Sequence, residues 1–232
     1  MTANSRWMDI ATDAGNFKGY LSLPPAGKGM GIVLIEEIFG VNSHIRGVAD
    51  QYAQDGYVVL APDVFWRIQP GVELGYEGAD REKAMAQLQN TDVPTAVGDI
   101  GATVKALRAL PEVTGKIAAI GYCFGGRLTF LSAAAGSIDA AVAYYGGGIH
   151  NLLGEADKIQ APIQFHFAAN DSSIPLSAVD QVKARFAGRD NAEVHIYAGA
   201  GHGFNCWDRS AYHPHSAALA HGRTLIFLGA HL

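Results

Sequence analysis

Cysteine is scarce: Cys123 and Cys206 are the only two in 232 residues. Two thiols in a chain of this length exclude a disulfide-stapled secreted scaffold. Charge is sparse as well, at 17% of residues, and the balance of 17 Lys and Arg against 22 Asp and Glu leaves a formal net charge of −5. With no basic surplus and no basic block, a nucleic-acid partner is not expected. Long apolar runs are also missing. The best candidate, residues 128–138, falls well short of the roughly 18 residues that a membrane span needs, so no membrane partner is expected. The opening residues, Met1 to Arg6, lack the charged-then-apolar layout of a secretion signal, and a cytoplasmic location is the expectation.

Present instead are a 49% hydrophobic content, ample for a large core without metal or disulfide staples, and 28 glycines. Excess glycine in an otherwise ordinary composition points to tight turns around a site. Apolar runs alternate with helical patterns from end to end. Strands are expected at 31–35, 57–62, 116–121, 140–145, 163–168 and 193–197. Helices are expected at 44–55, 80–90, 95–110, 124–135, 176–186 and 216–228. The strand runs are nearly continuous rather than alternating, as when both faces of a parallel sheet are covered. Residues 7–10 and 17–23, parted by Asp13-Ala14-Gly15-Asn16, read as an antiparallel hairpin at one edge. The expected fold is therefore α/β, a mostly parallel central sheet with helices on both faces, built as one domain over 1–232.

In such a sheet, chemistry gathers at the carboxyl ends of the strands. After the strand at 116–121 stands Gly121-Tyr122-Cys123-Phe124-Gly125-Gly126, with a helix directly behind it. This is the Gly-x-nucleophile-x-Gly turn, with cysteine where serine is usual. A thiol at a helix N-terminus is favoured as thiolate by the unpaired amides there. A buried structural cysteine would read the same way if it stood alone. It does not stand alone, because Asp171 follows the strand at 163–168 and His202 follows the strand at 193–197. The order nucleophile, acid, base is that of the α/β-hydrolases, and intervals of 48 and 31 residues put all three at one sheet edge.

Gly-Tyr-Cys-Phe-Gly-Gly, together with Glu37-Ile38-Phe39-Gly40 and Gly201-His202-Gly203-Phe204, resembles the dienelactone hydrolase family of α/β-hydrolases. Ala61-Pro62-Asp63, Tyr144-Tyr145-Gly146 and Arg223-Thr224-Leu225 extend the resemblance over nearly the whole chain. It implies a carboxymethylenebutenolidase-like enzyme that opens a small-molecule lactone or ester through a cysteine thioester, with no cofactor and no metal. It implies that Glu37, rather than its neighbour Glu36, helps take the thiol proton. It places oxyanion donors on the backbone N–H groups of Phe124 and Ile38, and substrate contacts at Arg81, Tyr144 and Phe39.

The pocket departs from the family pattern. One carboxylate-holding arginine falls on Arg81, but the second falls on Cys206, with Arg209 three residues on as a possible substitute. Two pocket aromatics fall on Met85 and Leu88. The catalytic residues thus match better than the substrate-binding ones. A general carboxylesterase or thioesterase with the same triad is the first rival. A metal site using His202, Cys206, His213 and His215, or a redox-sensing Cys123, are the others.

Overall fold

The computed structural model describes residues 4–232. Among the described residues, eight strands form one mixed, mostly parallel sheet with helices around it, in the order β1 (Asn4–Thr12), β2 (Gly15–Leu23), β4 (Val58–Pro62), β3 (Gly29–Ile35), β5 (Val113–Tyr122), β6 (Ala140–Tyr144), β7 (Ile163–Ala168) and β8 (Ala192–Tyr197). By contacts the chain divides into two compact units, one ending at Ala119 and one running Ile120–Leu232. The division falls inside a strand, β5.

The first unit opens with the expected hairpin. β1 (Asn4–Thr12) pairs antiparallel with β2 (Gly15–Leu23), and both are longer than the sequence suggests. β3 (Gly29–Ile35) leads to α1 (Ser43–Gln54), where Asn42 Oδ1 accepts the Ile45 N–H at 3.2 Å as an N-cap. β4 (Val58–Pro62) lies parallel to β3 and antiparallel to β2, and all five of its residues are buried. α2 (Gly78–Asn90) and α3 (Val93–Arg108) come next, the latter capped by Asp92, which accepts the Thr95 N–H at 3.0 Å. Pro94 sits in the first turn of α3, where its missing N–H costs nothing, so the helix starts two residues before the expected point.

Glu36, just past β3, is fully buried and takes the Val64 N–H at 2.7 Å. Burial, with the nearby negative charge of Asp63, holds its carboxyl well above the ordinary carboxylate range. The unfolded chain releases that proton at ordinary pH values whereas the folded chain keeps it. Stability should therefore fall as pH rises from about 4.5 through the folded value, by at most about 1.4 kcal/mol per pH unit. Glu36→Gln keeps the acceptor for Val64 and removes the titration. It should flatten this slope and raise the melting temperature at neutral pH. Urea unfolding from pH 4 to 8 checks the claim, and an unchanged slope would mean that Glu36 is ionised in the fold.

The second unit carries the tail of β5 (Val113–Tyr122), then α4 (Phe124–Ala134), β6 (Ala140–Tyr144), β7 (Ile163–Ala168), α5 (Leu176–Phe186), β8 (Ala192–Tyr197) and α6 (Pro214–His231). β6, β7 and β8 are parallel in register, Tyr144 opposite His166 and His166 opposite His195. Every residue of β6 and β7 is buried, which is why their sequences run apolar without alternation. Burying each large side chain here, such as Phe165 or Phe167, stabilises by roughly 1.5–3 kcal/mol. The sequence gives no sign of the 3-10 segment Ile149–Lys158 that fills the β6–β7 connection. It comes after three glycines and contains Gly154, which mask its helical pattern. α6 starts at Pro214 and not near 216, because His213 Nδ1 caps it by accepting the Ser216 N–H at 3.3 Å.

Candidate active site

Cys123 occupies the single residue between β5 and α4, at φ 54° and ψ −111°. A side chain in this region costs on the order of 1–3 kcal/mol, so the surroundings must hold it there. The glycines show how tightly. A Cβ on Gly121 would lie 2.1 Å from Gly125 O, and one on Gly126 would lie 2.6 Å from Tyr144 O and 3.0 Å from Gly146 Cα. Only bare backbone lets α4 cross this close to β6. The Cys123 N–H donates to Tyr144 O at 3.0 Å, and Cys123 O accepts the Arg127 N–H at 3.2 Å. The elbow is thus pinned on both sides and leaves the thiol partly exposed.

Asp171 stands in the turn after β7. That turn is fastened to the β8 side by Ala169 N–H to Tyr197 O and Asn170 N–H to Ala200 O, both 2.9 Å. Its Oδ1 accepts the N–H groups of Ser173 at 2.7 Å and Ile174 at 3.0 Å. Its Oδ2 meets His202 Nδ1 at 2.7 Å, and the carboxylate is only 1% exposed. A buried carboxylate so fully bonded can point only one way. It thereby directs the imidazole, whose Nε2 lies 3.1 Å from Cys123 Sγ. The Tyr145 ring flanks His202 at 5.2 Å between centroids. Burial alone would lower the His202 pKa. Negative charge on Cys123 and the hydrogen bond to Asp171 outweigh it and raise the value to about 10. The arrangement favours the imidazolium form of His202.

Tyr144 lies entirely in the core: its hydroxyl is 2.7 Å from Thr224 Oγ1 and its ring stacks on His166 at 4.3 Å. Its backbone carbonyl accepts the Cys123 N–H, and its ring lies 4.7 Å from that of Tyr122 between centroids. His166 beneath it is fully buried, with a pKa pushed well below normal by desolvation, and is bonded to Tyr197 and Gln164. In the first unit, Glu37, Ile38 and Phe39 are all buried just past β3. Phe39 packs edge-on to Tyr76 at 4.6 Å, and its carbonyl accepts the Leu74 N–H at 2.9 Å. Glu36 Oε1 accepts the Val64 N–H, and Glu37 beside it is buried as well. Arg81 is exposed in the first turn of α2, over a shallow depression shared with Met85 and Gln89.

Cys206 is fully buried, and Arg209 lays its guanidinium against Gly203, the residue after His202. His202 is engaged through both ring nitrogens, and His213 Nδ1 accepts the Ser216 N–H. Tyr145, inside the Tyr144-Tyr145-Gly146 motif, stands at a φ of 35°, and Arg127, which no motif marks, donates its Nε–H to Gly147 O at 2.5 Å.

A model of the dienelactone hydrolase family matches residues 17–232. The carboxymethylenebutenolidase of Pseudomonas putida is 35% identical over 217 residues, covering 93% of this chain and 92% of that protein. The enzyme of the same name from Pseudomonas sp. strain P51 is 33% identical over 219 residues, covering 94% and 92%. A solved structure from Klebsiella pneumoniae subsp. pneumoniae, of a protein proposed to be a dienelactone hydrolase, superposes with a TM-score of 0.88 at 26% identity, over 98% of both chains. An esterase of Pyrococcus furiosus, 16% identical with a TM-score of 0.74, shares the fold over 99% of this chain and 93% of its own. The chain belongs to the dienelactone hydrolase family, a branch of the α/β-hydrolases.

Proposed function

We propose that this protein hydrolyses a small lactone or ester through a thioester on Cys123, with His202 and Asp171 completing the triad. The observation that supports this best is the relay from Asp171 Oδ2 to His202 Nδ1 at 2.7 Å and from His202 Nε2 to Cys123 Sγ at 3.1 Å. In the first half-reaction, the thiolate adds to the carbonyl carbon and the oxygen becomes an oxyanion. Backbone N–H groups of Phe124 and Ile38 are the donors we assign to it. The C–O bond then breaks, and the departing oxygen takes the proton from His202. In the second half-reaction, His202 takes a proton from water, the hydroxide adds to the thioester, and the C–S bond breaks to return the thiolate. Asp171 fixes the imidazole tautomer throughout. Glu37 is the group we assign to accept the thiol proton in molecules where Cys123 is not yet ionised. One catalytic domain over the whole chain is the matching proposal, supported by a unit boundary inside β5 and a family match that spans it.

Acidic lactones are the substrate class we favour, with Arg81 on the carboxylate, Phe39 against the ring, and Arg209 as a second cation. For Tyr144, the buried ring supports a contact made by its main chain. A panel of acidic dienelactones and neutral p-nitrophenyl esters tests the reading against a general esterase. Arg81 is exposed, so its charge is screened and its pairing is worth no more than about 1 kcal/mol. Arg81→Ala should therefore lower kcat/KM for acidic lactones by roughly 3- to 6-fold and leave neutral esters unchanged. An equal loss on both classes would remove Arg81 from the substrate site.

A further inference from the structure

We propose that His166 is a positioning residue for the triad: a neutral imidazole, with its hydrogen on Nε2, that sets the carboxyl ends of β6, β7 and β8 against one another. This rests on the reading of Cys123, His202 and Asp171 as the triad. His166 stands on the central strand of those three, opposite Tyr144 on one side and His195 on the other, and is fully buried. Its partners fix its hydrogen. Gln164 Nε2 faces Glu193 Oε2 at 2.8 Å and Arg223 O at 3.4 Å, a carboxylate and a carbonyl, which only accept. The Gln164 amide can therefore present only its oxygen to His166 Nε2, at 2.8 Å, so Nε2 carries a hydrogen. Nδ1, 2.7 Å from the Tyr197 hydroxyl, is then the bare nitrogen of the neutral ring and accepts from that hydroxyl. Desolvation, which pushes the His166 pKa well below normal, keeps the ring neutral.

From that ring each triad member is held. The Tyr144 ring stacks on His166 at 4.3 Å between centroids. Its hydroxyl meets Thr224 Oγ1 at 2.7 Å, and that oxygen lies 3.1 Å from His166 Nε2. So held, Tyr144 O accepts the Cys123 N–H at 3.0 Å. In the next residue, the Tyr145 N–H donates to His166 O at 2.7 Å, and the Tyr145 ring flanks His202. On the other side, the Tyr197 hydroxyl bonded to Nδ1 anchors the end of β8. Tyr197 O accepts the Ala169 N–H at the start of the Asp171 turn, and its ring packs 5.0 Å from that of Phe204, two residues after His202. A leucine could fill the space under Tyr144, but it would leave the Tyr144 and Tyr197 side chains free to turn. Hydrogen bonds in the plane of the imidazole, at both nitrogens, remove that freedom.

The hydrogen is read by heteronuclear NMR on the full chain with isotope-labelled histidine, the His166 ring being assigned by its loss in His166→Gln. The expected pattern is a protonated Nε2 and a bare Nδ1. A hydrogen on Nδ1 would overturn the proposal. Kinetics are read on the p-nitrophenyl ester that the wild type turns over fastest. Tyr197→Phe, which removes one hydroxyl, should lower kcat about 3- to 10-fold, and His166→Leu about 10- to 100-fold. Each should keep KM within about 2-fold of wild type, because the reacting groups are displaced and the binding surface is not. Phe165→Leu is the control for packing, as the preceding residue on β7 and equally buried on the opposite face. It should lower the melting temperature and leave kcat within about 2-fold of wild type. A Phe165→Leu protein that loses as much kcat as His166→Leu would overturn the proposal, because any loss of core packing would then suffice. Undiminished kcat in both Tyr197→Phe and His166→Leu would overturn it as well. Should His166→Leu fail to fold, Tyr197→Phe carries the comparison. An active Cys123→Ala protein would refute the triad, whereas undiminished kcat in the two variants alongside an inactive Cys123→Ala protein would refute the role of His166 alone.

Discussion

Cys123→Ala should lose roughly 10⁴- to 10⁶-fold in kcat on any ester or lactone the wild type accepts, with a melting temperature within a few degrees of it. The chemical loss is large because the variant removes the Sγ that His202 Nε2 meets at 3.1 Å. The fold should survive for a backbone reason. Cysteine and alanine both carry a Cβ, so the strain at φ 54° is the same for either. The bonds that hold the turn, Cys123 N–H to Tyr144 O and Arg127 N–H to Cys123 O, use main-chain atoms only. Labelling gives an independent measure. In the wild type, iodoacetamide should modify the partly exposed Cys123 and leave the fully buried Cys206 intact until unfolding. Residual turnover near the wild-type rate, or equal labelling of the two thiols, would remove Cys123 from the reaction.

The elbow was legible because its constraints are local. A strand, a glycine, a nucleophile and another glycine leave few alternatives once α4 must start at Phe124, and contacts at Gly121 and Gly126 account for that spelling. Asp171 and His202 were legible from their position after β7 and β8, since parallel strands deliver the loops at their carboxyl ends to one edge. The features that stayed hidden depend on three-dimensional approach. Tyr144 stands in a motif beside the site, yet its side chain turns inward to Thr224 and His166 while its carbonyl serves the elbow. Burial of a particular face cannot be read from a strand in which every residue is buried. Arg127 looks like an ordinary helix residue until the glycines at 146–148 are folded against it. The resemblance points to Glu37, but that its neighbour Glu36 takes the Val64 N–H, a partner 28 residues away, shows only in the fold.

His202→Ala should cost nearly as much as loss of the thiol, roughly 10⁴- to 10⁶-fold in kcat, and Asp171→Asn roughly 10²- to 10⁴-fold. The difference comes from the jobs. His202 gives a proton to the leaving oxygen and takes one from water, so nothing replaces it. Asp171 handles no proton and acts by orientation and charge. In Asp171→Asn one oxygen can still accept the N–H groups of Ser173 and Ile174, now at 2.7 and 3.0 Å, which would turn the new NH₂ toward His202 Nδ1. That amide donates where the carboxylate accepted, so the neutral ring takes the tautomer with its proton on Nε2, and Nε2 can no longer take a proton from water. The pH profile separates the two roles. With His202 raised to about 10, the wild type should keep its proton donor through neutral pH and lose it as pH rises through that value. Stability from the charged imidazole should fall progressively from about pH 6.5, where the unfolded histidine releases its proton, up to about 10, where the folded one does. Asp171→Asn removes a cause of the elevation and should move the alkaline limb to lower pH, whereas His202→Ala should abolish it. Leaving groups that depart without protonation should suffer less in the first half-reaction than basic alkoxides do. The measurement is kcat against pH for p-nitrophenyl and alkyl esters in all three proteins. An alkaline limb that survives unchanged in His202→Ala would assign the titration to another group and dismantle the triad.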